Sequence, residues 1–174
     1  MADPTSILID NLKETFKAIE RFLVVGLTAS LFLIVLATTD REFKGVQKLM
    51  FIDTNAPAAL VAMVALAAYF VSGAFAAFHF WGRRRIVGKL RESDCQILDS
   101  VLTYPSVVAR MGPLQITALL AVCGSGLVAF ILLYPSTSEI EKAFVSFLIL
   151  GSPYIVLFGI ALLTCFEELR AGLK

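Results

Sequence analysis

Residues 56–91 read APAALVAMVALAAYFVSGAFAAFHFWGRRRIVGKLR. Positions 56–81 carry no charge, and the chain then turns within two residues to Arg83, Arg84 and Arg85, followed by Lys89 and Arg91. A helix over this uncharged run rises about 39 Å, more than the roughly 30 Å of a bilayer hydrocarbon core. An apolar run of that length ending in a basic cluster has the form of a membrane span whose inner end is marked by positive charge.

Working outward, three more stretches lack Asp, Glu, Lys and Arg: residues 22–39, 111–134 and 143–166. Each approaches or exceeds the roughly 20 residues a spanning helix needs. Hydrophobic residues make up 58% of the chain and charged residues 17%, against about 25% charged in soluble domains. With half the chain given to lipid, no sizeable water-soluble core remains. The predicted fold class is an all-α integral membrane protein: a single four-transmembrane-helix bundle over residues 1–174. An amphipathic helix over 1–21 precedes the first span, and a helical cytoplasmic loop over 82–110 joins the second and third. Outer loops cover 40–55 and 135–142, and a tail covers 167–174.

Lys and Arg are distributed unevenly among these connections. Residues 1–21, 82–110 and 167–174 hold 11 of the 15, and the two outer loops hold 4. Basic residues flanking spans stay on the cytoplasmic side, which predicts both termini and the central loop there, with a bacterial inner membrane as the expected location. The leader before residue 22 is long, and Leu36, Ala37, Thr38, Thr39 lacks a small-x-small cleavage pattern. The first span is therefore expected to be retained rather than removed as a signal peptide.

In the leader, Leu8, Leu12, Phe16, Ile19 and Leu23 recur every three or four residues with charges between them. This predicts an amphipathic helix lying on the membrane surface or packing against the central loop. The loop 40–55 is too apolar for a free solvated turn, which predicts a strand-like or re-entrant element. In the central loop, Ile86, Leu90, Ile97 and Val101 can share one helical face. Such an apolar stripe outside lipid must be covered, and the expected cover is the leader helix, a second copy of the chain or a partner protein. Arg83, Arg84, Arg85, Lys89 and Arg91 are the expected contacts to lipid headgroups, fixing orientation. Pro105 is expected to end the helical part of the loop.

Inside the spans the informative feature is the missing charge, because proton relays and voltage sensors depend on intramembrane ionisable groups. What the spans do hold is small residues: Gly26 and Ser30 in the first, Ser72 in the second, Ser125 in the third. These allow close helix packing and could instead line a pore. Pro153 predicts a kink in the fourth span through its clash with the Ile149 carbonyl. His79 reads as an interfacial anchor beside Trp81, and Cys95, Cys123 and Cys165 as small apolar fillers. Phosphate loops and metal-ligand spacings are missing from the sequence, so no catalytic residue, metal or cofactor is expected. Expected partners are the lipid bilayer and protein subunits or further copies of the chain, without direct nucleic-acid contact.

Two functional readings follow. One is a non-catalytic subunit that anchors a multi-protein assembly and docks a cytoplasmic partner through the basic central loop. The other is a homo-oligomeric pore or channel-like effector, of which a phage-defence effector is a narrower version.

Overall fold

The computed structural model describes residues 4–39, 47–49, 52–54, 58–93, 101–102, 106, 113–133 and 140–172. Helix α1 (Pro4–Thr39) and helix α2 (Ala58–Ser93) each run 36 residues. Between them, strands β1 (Gln47–Leu49) and β2 (Ile52–Thr54) pair antiparallel, with Leu49 opposite Ile52. Helix α3 (Pro113–Leu133) starts on a proline, whose missing N–H would have no helical acceptor in a first turn. Helices α4 (Ile140–Leu150) and α5 (Ser152–Gly172) follow. The described residues thus form a helical bundle with one short hairpin in the region where a strand-like element was expected.

Among the described residues three helices are long and apolar enough to cross a membrane: Thr5–Thr38, Leu60–Arg91 and Gln115–Leu132. The fourth predicted span is not one straight helix. α4 and α5 meet at Gly151 with a bend of 68°. The apolar part of α5 before Glu167 rises only about 22 Å, and α4, inclined by that angle, extends the pair to about 28 Å along the α5 axis. Read as one bent span, the pair comes close to the roughly 30 Å required.

The bend falls within the Gly151–Tyr154 stretch where a kink was expected, but it is centred on Gly151 and not on Pro153. A Cβ at Gly151 would lie 2.6 Å from the Phe147 carbonyl oxygen and 2.6 Å from its ring, so the tight turn there admits only glycine. The Gly151 N–H donates to the Phe147 carbonyl at 2.6 Å, and the Gly151 carbonyl accepts from the N–H groups of Tyr154 and Ile155. Pro153 occupies the first turn of α5, where its lost donor breaks no hydrogen bond. The Ser152 hydroxyl donates to the Ile149 carbonyl at 2.7 Å, satisfying an acceptor left open at the end of α4.

α1 and α2 form the spine. Along α2 the buried side chains are those of Ala65, Tyr69, Ser72, Ala76, Phe80, Arg83, Val87 and Leu90, spaced by three or four residues throughout. Along α1 they include Leu12, Phe16, Ile19, Ser30 and Leu33. Three contacts set the antiparallel register. Gly26 lies beside Ser72, Phe22 stacks on Phe75 at 5.2 Å between ring centroids, and the Arg83 guanidinium lies 6.0 Å from the Phe16 ring centroid. Steps of three and four residues keep the apolar seam of each helix facing its partner, as in a coiled-coil pair.

This seam does not stop where the charges begin. Beyond the uncharged runs, residues 4–21 of α1 add about 27 Å of helix and residues 82–93 of α2 about 18 Å. The surplus lies at the N-terminal half of α1 and the C-terminal end of α2, where the charged residues are. There Leu12, Phe16 and Ile19 pack in one core cluster with Phe80, Val87, Leu90 and Val101. The result is a two-helix stalk continuous with the bundle.

Candidate functional site

The bundle's four long helices meet at a buried polar junction. The Tyr154 hydroxyl of α5 lies 2.8 Å from Ser72 Oγ of α2, and that serine also donates to the Tyr69 carbonyl at 2.9 Å. The Tyr154 and Tyr69 rings pack at 4.5 Å between centroids. Tyr69 reaches α3, its hydroxyl donating to the Val122 carbonyl at 3.4 Å. One level along, Ser30 Oγ of α1 and Ser125 Oγ of α3 lie 2.7 Å apart, and the Ser125 hydroxyl also bonds the Val122 carbonyl at 2.9 Å. Hydroxyls in an apolar interior need partners, and these find them on neighbouring helices or within a turn of their own.

Glycines make the room for the two tyrosines. A Cβ at Gly26 would stand 1.6 Å from the Tyr154 hydroxyl oxygen, one at Gly73 would lie 2.7 Å from the Tyr154 ring, and one at Gly126 would lie 2.1 Å from the Tyr69 hydroxyl oxygen. The structure therefore brings Gly26 together with Ser72, and Ser30 with Ser125. Pro153 packs near Gly73. These small residues connect helices of one chain.

Tyr69 and Tyr154 are the residues that sequence reasoning missed. The available signal was a hydroxyl-bearing aromatic well inside a charge-free run, Tyr69 in 56–81 and Tyr154 in 143–166. Buried, such a group requires both a hydrogen-bond partner and a glycine-sized gap.

The basic junction at the end of α2 is less uniform than its sequence. Arg83, expected at the headgroups, is 0% exposed. Its guanidinium lies between the Phe80 ring, 5.4 Å to the centroid, and the Phe16 ring. The correction follows from helical spacing, because position 83 continues the buried seam through Phe80 and Val87. Arg84 pairs with Glu167 of α5. Arg85, Lys89 and Arg91 are exposed, with the Arg85 guanidinium 5.8 Å from the Trp81 ring centroid.

The expected docking stripe also needs correction. Leu90 is 0% and Val101 5% exposed, and Ile86 is partly buried against the same core. Their cover is the N-terminal half of α1, so as folded they offer no docking surface. Ile97 lies outside the described residues, as do Cys95 and Pro105.

Further along, a groove of about 820 Å³ runs between α1 and α3, lined by Leu23, Val24 and Leu27 on one side and Ala118, Ala121 and Val122 on the other. At one end the Ser106 hydroxyl donates to Glu20 Oε1 at 2.7 Å. His79 lies against Phe22 at 5.8 Å between ring centroids. Among the described residues no group of three His, Cys, Asp or Glu is placed to hold a metal ion. Cys123 and Cys165 are free thiols.

No protein-family profile, curated protein or solved structure matches this chain.

Proposed function

We propose that the chain is a non-catalytic, multi-pass subunit of a bacterial inner membrane that anchors a multi-protein assembly and presents the α1–α2 stalk to the cytoplasm. The observation that carries this reading is the unbroken seam from the Tyr154 junction to Leu90 and Leu12. Two helices that stay packed about 14 Å beyond the apolar stretch, from Trp81 to Leu90 on α2, form a fixed extension rather than a loose loop. Both termini are assigned to the cytoplasm by the excess of Lys and Arg in the connections at that end.

Because the apolar stripe of the stalk is used internally, the docking surface is its charged outer face. On α1 that face exposes Asp10, Glu14 and Lys17, the last two paired at 2.9 Å. A charged, solvated face of this kind favours a protein partner held by complementary charge. The test is purification from native membranes in mild detergent, comparing wild type with the double variant Asp10→Lys/Glu14→Lys. The reading expects a stoichiometric partner with wild type and at least about a tenfold lower yield with the variant, at equal bundle stability. Equal yields with both proteins overturn docking on this face.

A further inference from the structure

The exposed side of α2 changes chemistry once along its length. From Leu60 to Trp81 its outward positions are apolar, with Met63 67%, Phe78 72% and Trp81 47% exposed. That stretch is about 32 Å long, close to the thickness of a hydrocarbon core. Immediately beyond it the same face carries Arg85 and Lys89, both exposed. At 100° per residue Phe78, Trp81, Arg85 and Lys89 fall within an arc of about 80°, so they form one stripe. Arg83 and Arg84 fall outside this arc, Arg83 in the interior and Arg84 beside Glu167.

We infer that this stripe is a site for an anionic phospholipid, its phosphodiester held by Arg85 and Lys89 and its glycerol and upper acyl chains lying on Trp81 and Phe78. The chemistry matches at both ends. The Trp81 ring, with the Arg85 guanidinium 5.8 Å from its centroid, sets a cation at the level where an indole settles in an interface. A guanidinium binds phosphate oxygens in a bidentate fork, and the Lys89 ammonium two turns from Trp81 adds a second positive charge. Gly88 leaves an open shelf beside them, since a Cβ there would meet nothing within 4 Å. Glycine inside a helix costs about 1 kcal/mol relative to alanine, and among the described residues no neighbour crowds this position.

The inference rests on the membrane reading above, and one probe separates the two. Trp81 is the only tryptophan in the chain, so its fluorescence reports this stripe alone. The protein is reconstituted in phosphatidylcholine vesicles containing increasing fractions of phosphatidylcholine or phosphatidylglycerol brominated near the glycerol end of the chains. Two basic contacts are expected to enrich the anionic lipid about 30-fold, which is about 2 kcal/mol. Half-maximal quenching then falls at a correspondingly lower fraction of the brominated anionic lipid. Arg85→Gln/Lys89→Gln is expected to make the two lipids equivalent. Should that variant fail to fold, raising the salt from about 0.05 to about 0.5 M is expected to shrink the preference of the wild-type protein. Equal quenching by both lipids in wild type, or a preference unchanged in the variant and in salt, overturns the site while leaving the span intact. Absence of quenching by either lipid overturns the membrane reading itself.

Discussion

Gly26→Val destabilises the bundle by about 3 kcal/mol or more, the largest effect expected of any small-to-large exchange in the spans. Its Cβ would sit 1.6 Å from the Tyr154 hydroxyl oxygen and 2.6 Å from the ring carbon bearing it. The tyrosine must move, and with it goes the 2.8 Å bond to Ser72. Overpacking in a close-packed interior typically costs about 1–3 kcal/mol, and an interhelical hydrogen bond in a membrane protein contributes about 0.6 kcal/mol on average. α1, α2 and α5 all lose contact at once, so neither partner can relax alone. Unfolding in mixed micelles with increasing dodecyl sulfate, followed by circular dichroism, reads the loss directly. Two controls accompany it. Gly124→Ala, where a Cβ meets nothing within 4 Å, is expected to stay within about 0.5 kcal/mol of wild type. Gly26→Ala is expected to cost less in a Tyr154→Phe background, from which the clashing oxygen is gone. A Gly26→Val protein as stable as wild type contradicts the junction.

Leu12→Asp opens the stalk without dissolving the bundle. Leu12 is 0% exposed within the cluster that holds Phe16, Val87 and Leu90. Truncating a buried leucine costs about 2–5 kcal/mol, and leaving a carboxylate there without a counter-charge adds to it. An opening free energy lowered by about 3 kcal/mol raises the population of the open stalk about 100-fold. Tryptic cleavage after Lys13, Lys17 or Arg21 is then expected to accelerate by that factor in inside-out membrane vesicles, while the spans remain protected. Right-side-out vesicles of the same variant are expected to resist. Cleavage from that side contradicts the cytoplasmic assignment, and an unchanged rate in inside-out vesicles contradicts the buried stalk.

The helices long and apolar enough to cross a membrane were legible because charge-free runs of that length leave few alternatives in composition. The continuity of α1 was not. The change from charged to uncharged residues at Phe22 reads as a boundary, but helical hydrogen bonds do not depend on that change, and the seam through Leu12, Phe16 and Ile19 continues past it to Ser30 and Leu33. The central stripe was correctly seen to need a cover, and helical spacing alone could not choose between the leader and another protein. Arg83 was hidden inside a run of three arginines, where only the phase of the α2 seam separates the buried one from its neighbours. Pro153 drew the expected kink because proline is a strong helix breaker, whereas the break belongs to Gly151, where crowding by Phe147 decides. The tyrosine junction depends on which helices are neighbours, and that is set by contacts far apart in the chain.

The stalk itself is tested most directly by a distance. Asn11 and Gly88 are both exposed and lie at matching levels of the antiparallel pair, given the register of Phe16 with Arg83 and Gly26 with Ser72. Spin labels are placed at these two positions after replacing Cys95, Cys123 and Cys165 with alanine, and their separation is measured by double electron–electron resonance in lipid vesicles. Packed helix axes lie about 8–10 Å apart, so a single narrow distribution centred below about 25 Å is expected, unchanged between vesicles and detergent. A broad distribution at longer distance, as when the N-terminal half of α1 lies flat on the membrane away from α2, would contradict the stalk and the function proposed from it.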